Sequence, residues 1–300
     1  MAFQERILFM EFEIFSVVTG TAMCTTICPF CVSGERPSKV NKIAPKINVR
    51  NFRKAAKLAT NSRVNTVMLT SRGEPTLFPD QITQYLEELE QYEFPFIELQ
   101  TNGCPMGQNF ERYREHLQKW YDLGLTHILI STVSNRPEIL KEVYMPHHKE
   151  YIDLPKLIEN LHEIGFAVRL TCVATKEWMS TPEQLTEYLT FAKENNVEQV
   201  TIRPLNDEYR RETAQMWINQ HKMTGEDKQG LVDFLNETGH PLQRIPHVGQ
   251  VYDWNGQNVM LSVPLTKYTD HNSDEKKRNL IFFPHGEIRY EWEFEGGRLL

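Results

Sequence analysis

No apolar run in this chain approaches the roughly 20 residues needed to cross a bilayer. Its opening stretch, MAFQERILFMEFEIF, is broken by Glu5, Arg6, Glu11 and Glu13. That pattern lacks the uninterrupted apolar segment of a secretory signal. A basic excess is missing too: the net charge is −7, which argues against a surface built to hold phosphate backbones. Cysteine is scarce, with five in 300 residues and none after Cys172. There is no low-complexity tract and no solenoid-type repeat. Together these absences lead us to expect a cytoplasmic protein with reduced thiols, with neither membrane nor nucleic acid as its partner.

What is present is strand–helix alternation. Six segments rich in Val, Ile, Leu and Thr read as strands: Glu13–Val18, Val64–Thr70, Pro95–Gln100, His127–Val133, Ala167–Val173 and Val197–Arg203. Between them lie helical patterns at Val49–Asn61, Asp80–Tyr92, Phe110–Leu123, Leu154–Ile164 and Pro182–Glu194. Thr181-Pro182 with Gln184 makes a helix start, with an N-cap followed by proline at the first helical position. Alternation at this spacing implies a parallel sheet of right-handed crossover units, either an open doubly wound sheet or a partial barrel. From about Asp207 the alternation stops. Two helices (Tyr209–Gln220 and Asp227–Glu237) precede strand-like pieces at Val259–Val263, Leu280–Phe283 and Ile288–Phe294, with an exposed loop at Thr269–Arg278. The expected division is a core over residues 1–206 and a C-terminal α+β extension over 207–300 that caps it.

Three of the five cysteines fall within eight residues, just after the first strand: Cys24, Cys28 and Cys31, spaced C-x3-C-x2-C. In a reducing compartment such a triplet points to a metal rather than to disulfides. Three thiolates on one loop can bind three irons of a cubane and leave the fourth iron open. An open position is what a catalytic metal site needs. A structural zinc ion is the competing use; it wants four ligands, and no nearby histidine completes the set. Cys104 and Cys172 read as buried free thiols.

The motif, with the aromatic Phe30 just before its third cysteine, resembles the signature of the radical S-adenosylmethionine (SAM) superfamily. Weaker matches extend the resemblance over about two-thirds of the chain, each at the C-terminal end of an expected strand, where α/β folds place ligands. Ser71-Arg72-Gly73-Glu74-Pro75 is similar to the family's Gly-Gly-Glu-Pro motif, which binds the SAM amino group; Arg72 stands where the family has its first glycine. Asn102, in Thr101-Asn102-Gly103, is a SAM contact or a turn residue. Ser131 and Ser134 are hydroxyls for the ribose or carboxylate of SAM, or ordinary strand-end groups. An inward Arg169 would need a carboxylate partner, and that of SAM is one candidate. Ile202 packs on adenine in the family pattern and equally suits a core. Phe30 packs over the cluster, lies in the core, or does both.

The resemblance implies a partial (β/α)6 barrel, one 4Fe–4S cluster and bound SAM. It also implies an electron donor such as flavodoxin or ferredoxin. The Phe283–Ile288 stretch looks like the region where relatives carry auxiliary-cluster cysteines, and here it has none, so a single cluster is expected. The chemistry implied is reductive cleavage of SAM and hydrogen abstraction from a small-molecule or nucleotide-like substrate. A peptide or RNA substrate, or a non-enzymatic iron–sulfur sensor or carrier, are the competing readings. A barrel aldolase using Lys176 is a fourth.

Overall fold

Strands whose apolar residues alternate with polar ones must bury one face, and helices with an apolar stripe supply the cover. A computed structural model describes residues 12–31, 42–144, 150–205, 212–245, 248–262, 279–292 and 295–300. Residues 1–11 of the opening stretch, the Thr269–Arg278 loop and the expected boundary at 206/207 lie outside the described residues. The first two-thirds runs as β1 (Ile14–Val18), α1 (Val49–Asn61), β2 (Thr66–Thr70), α2 (Pro79–Leu89), β3 (Phe96–Thr101), α3 (Cys104–Gln108), α4 (Phe110–Asp122), β4 (His127–Thr132), α5 (Pro137–Tyr144), α6 (Leu154–Ile164), β5 (Ala167–Ala174), α7 (Pro182–Glu194) and β6 (Gln199–Pro204). β1 to β6 pair in sequence order, all parallel, in a sheet that stays open.

Local signals fix the ends of these elements. The Thr181 side chain accepts from the Gln184 backbone N–H, and Gln184 reaches back, a reciprocal cap that starts α7 at Pro182. Asp153 caps α6, which ends on Gly165 in the left-handed region (φ 114°). α3 and α5 were not expected from the sequence. α3 is only five residues long and α5 only eight.

The tail supplies α8 (Glu212–His221), α9 (Gly225–Thr238), β7 (His240–Ile245), β8 (Gly249–Trp254), β9 (Gln257–Ser262), β10 (Asn279–Phe282) and β11 (Ile288–Arg289). The tail strands prolong the sheet at both edges, giving the order β11-β10-β1-β2-β3-β4-β5-β6-β9-β8-β7. β9 lies parallel to β6, and β10 lies parallel to β1. Leu280, Ile281 and Phe282 are all fully buried, as suits a strand with neighbours on both sides. Tyr252 and Trp254 are core residues, whereas Trp292 is exposed against Phe283. No described helix is long and apolar enough to cross a membrane.

Alternation divides the sheet's two faces. Val67, Leu69, Ile97, Leu99, Ile128, Ile130, Val168, Leu170, Val200 and Ile202 belong to one continuous apolar core. The residues between them point the other way and are mostly polar: Thr70, Gln100, Ser131, Thr171 and Thr201 toward the strand ends, and Glu98, His127, Arg169 and Gln199 toward the strand starts.

Candidate active site

The loop after β1 carries the three cysteines, and two backbone ties hold it, one to the β2 end and one to the end of α5. The Glu74 N–H donates to the Met23 carbonyl at 2.8 Å, and the Ile27 N–H donates to the Tyr144 carbonyl at 2.8 Å. Gly73 permits the first tie. A Cβ built there would stand 2.0 Å from the Met23 oxygen, so only glycine lets the two backbones approach so closely. Arg72, by contrast, is exposed and is not among the residues with positive φ. That position needs no glycine.

Glu74 sits fully buried behind the loop. Its Oε1 accepts from the Thr76 N–H (3.0 Å), the Thr76 hydroxyl (2.7 Å) and the Thr101 hydroxyl (2.6 Å), while Oε2 accepts from the Asn102 N–H (2.8 Å). Burial pushes its carboxyl above the usual range, and these four donors pull it back. Pro75 is buried and opens the short 3-10 turn over Pro75–Leu77 that Glu74 caps. In this arrangement Glu74 joins the β2 end to the β3 end.

Asn102 leans over the cysteine loop. Its Nδ2 lies 3.5 Å from Cys24 Sγ and 3.2 Å from the Thr25 hydroxyl, and its Oδ1 accepts from the Cys104 N–H at 2.9 Å. The Thr26 hydroxyl, buried between two cysteines, is 3.3 Å from Cys24 Sγ and 3.4 Å from Cys28 Sγ. Thr26 carries no family signal and was not foreseen. Phe30 packs with Tyr144 (centroids 6.3 Å) and with Trp217 of α8 (5.5 Å). Trp217 stacks in turn on His221 at 4.0 Å. Through Trp217, therefore, part of the tail does reach the cysteine loop.

The donor set fits an iron–sulfur cluster. Burial raises the Cys24 thiol and pushes Cys28 up to about 12. Thiols in such a place give up their protons when a metal supplies the compensating charge. Among the described residues no three His, Cys, Asp or Glu side chains converge as a single ion would require. In a cubane each cysteine takes its own iron, and convergence is not needed.

Three expected residues stand elsewhere. Arg169 does find a carboxylate, but it belongs to the protein. Its Nη2 is 3.0 Å from Glu98 Oε1, and its Nε donates to Gln199 Oε1 at 2.7 Å. The pair lies near the strand starts, four residues down β3 from Asn102, or about 13 Å at ~3.3 Å per residue. Ile202 is buried on the core side with Val200, away from the polar face. Ser134 is buried and accepts from the Arg136 N–H at 3.2 Å, shaping the turn before α5. Ser131 is half-buried on the polar face at the β4 end. Replacing Arg169 with Met should strand a mostly buried Glu98 charge and destabilise the fold by about 2–3 kcal/mol. SAM affinity should stay unchanged; urea unfolding and equilibrium dialysis check the two halves.

A family model described as the radical SAM superfamily matches residues 18–189, more than half of the chain. The chain belongs to the radical SAM superfamily. Its members use a 4Fe–4S cluster and SAM, and the enzyme's fold agrees. The structure of Streptococcus suis SuiB bound to S-adenosylmethionine is similar with a TM-score of 0.62 at 15% identity, covering 95% of this chain and 62% of SuiB. The structure of HydG, a maturase of the [FeFe]-hydrogenase, has a TM-score of 0.53 at 11% identity, covering 75% of this chain and 49% of HydG. A radical SAM methyltransferase from Sphaerobacter thermophilus has a TM-score of 0.53 at 14% identity, covering 74% and 63%. The chain thus spans about three-fifths of SuiB's length. At these identities the likeness is one of fold. No curated protein sequence matches the chain.

Proposed function

We propose that this radical SAM enzyme binds its cluster through Cys24, Cys28 and Cys31 and abstracts hydrogen from a small polar or nucleotide-like substrate. Bound there, a reduced 4Fe–4S cluster with SAM supplies reductive cleavage of the sulfonium and a 5′-deoxyadenosyl radical. The chain's own residues do the positioning. Gly73 and Glu74 pin the cysteine loop to the β2 end. Glu74 holds Asn102 in place beside Cys24. Phe30 and Trp217 wall one side of the loop with aromatic surface.

The observation that carries the substrate class is the polar face of the sheet. Ser131, Thr171 and Thr201 lie on it near the strand ends, and the Thr70 hydroxyl donates to Gln100 Oε1 at 3.3 Å. A face of hydroxyls and amides binds a ligand that can return hydrogen bonds, since an apolar one would leave them unpaired. A peptide substrate is the second reading. It draws on the fold likeness to SuiB over 95% of this chain, because a SuiB structure is described as bound to its precursor peptide SuiA.

The test is anaerobic reconstitution with iron and sulfide, followed by SAM and dithionite, with 5′-deoxyadenosine measured by mass. Formation by the native chain is the expected result. Stimulation by a pool of polar metabolites supports the first substrate reading, and stimulation by peptides supports the second. A loaded cluster that leaves SAM intact in every pool would sink the proposal.

A further inference from the structure

We infer that Thr26 and Asn102 are hydrogen-bond donors to the cluster's cysteine sulfurs and set its reduction potential, with Glu74 as the residue that positions Asn102. The inference rests on the cluster being held by Cys24, Cys28 and Cys31.

The orientation of the Asn102 amide is fixed by its partners. A backbone N–H can only donate, so the atom 2.9 Å from the Cys104 nitrogen must be the carbonyl oxygen. That leaves the NH2 group facing the cysteine loop, 3.5 Å from Cys24 Sγ. A thiolate sulfur accepts and cannot donate, so a donor aimed at Cys24 suits the ligated state. The Thr26 hydroxyl stands between two sulfurs, at 3.3 and 3.4 Å. As thiols, either partner could be the donor. Once both sulfurs bind iron they have no proton, and the hydroxyl becomes the donor to one or both. Thr26 is only 2% exposed, so water does not compete for the role.

Glu74 touches neither sulfur. It holds the Asn102 backbone N–H with one oxygen and the adjacent Thr101 hydroxyl with the other. Those bonds set where the Asn102 side chain begins. Glu74 therefore acts on the cluster through Asn102.

The consequence is electronic. One-electron reduction of the cluster adds a negative charge that is shared with its sulfur ligands. Donors to those sulfurs stabilise the reduced form more than the oxidised form and raise the potential. Removing one should make the cluster harder to reduce.

The experiment uses the reconstituted full chain without SAM, poised with dithionite and mediators, with the reduced cluster read by electron paramagnetic resonance. Signals are normalised to bound cluster, so partial loading does not obscure the result. At the potential that half-reduces the parent, Thr26→Val should lower the reduced-to-oxidised ratio about fivefold, the equivalent of one ordinary hydrogen bond. Thr26→Ser keeps the hydroxyl and should titrate with the parent. Asn102→Ala should fall in the same direction. Glu74→Gln is the discriminating variant. Loss of a carboxylate charge through space makes reduction easier, whereas release of Asn102 makes it harder. A fall in the ratio supports positioning; a rise shows that Glu74 acts by charge alone and overturns its assigned role. Parent-like titration of both Thr26→Val and Asn102→Ala overturns the inference as a whole. If the parent chain binds no cluster at all, the ligand assignment fails and this inference fails with it.

Discussion

Alanine at Cys24, Cys28 or Cys31 should abolish cluster binding and reduce 5′-deoxyadenosine formation to background. Three ligands hold the cubane, and losing one leaves a second iron without a protein thiolate. The fold should survive. The cysteines are half-buried, and the loop is held by backbone bonds from Glu74 to Met23 and from Ile27 to Tyr144, which the substitutions do not touch. The cost in stability should be about 1 kcal/mol or less. Iron and sulfide analysis beside a urea unfolding curve separates the two effects. A single variant that keeps its cluster would point to a substitute ligand. Cys104 is the one to examine, since it lies near enough to both Cys24 and Cys28 for their charges to act on it.

Gly73→Ala should come next in size. A methyl group there meets the Met23 carbonyl at 2.0 Å and the Ala22 carbonyl carbon at 2.7 Å, both backbone atoms that have no rotamer to escape into. Either the cysteine loop or the β2 end must move, at a cost of about 1–3 kcal/mol. Unlike the cysteine variants, this one should lose stability and cluster occupancy together. Arg72→Ala is the natural control. Arg72 is exposed with ordinary backbone geometry, so its replacement should leave both unchanged. Thermal unfolding and iron content again provide the readout. A Gly73→Ala protein with native occupancy would show that the loop can part from the β2 end without losing its metal.

Much of the core was legible because its signals are local. Thr181-Pro182 with Gln184 marks a helix start whatever surrounds it, and three of the six strands end at a turn or proline that sequence alone reveals: Val64–Thr70 before Gly73-Glu74-Pro75, Pro95–Gln100 before Asn102-Gly103, and Val197–Arg203 before Pro204. The tail was harder to read. β7 has the sequence HPLQRI, an edge strand with five of its six residues exposed, so it shows no apolar alternation. Its place beside β8 depends on pairing that no local pattern encodes. Strand ends could likewise be located, but side-chain direction needed the period of two to be applied. Arg169 alternates with Val168 and Leu170, and Ile202 shares its face with Val200. Their sides could have been read from the sequence. That the Arg169 partner is Glu98 could not, because the two stand two strands apart. Thr26 escaped for a different reason. A hydroxyl between two thiols is a matter of geometry, and threonine is common enough to carry no signal.

β1, the strand that leads into the cysteine loop, gains its second neighbour only from β10, where Ile14 pairs with Asn279. During synthesis the strand carrying the cysteines would stand at a bare edge, held on one side by β2, until residues 279–282 left the ribosome. Contacts so distant along the chain form slowly. The metal site is therefore among the last parts of the molecule to acquire its native surroundings. Delivery of iron and sulfide should succeed best on the completed chain, and a cell that supplies them too early would meet a loop still missing part of its support.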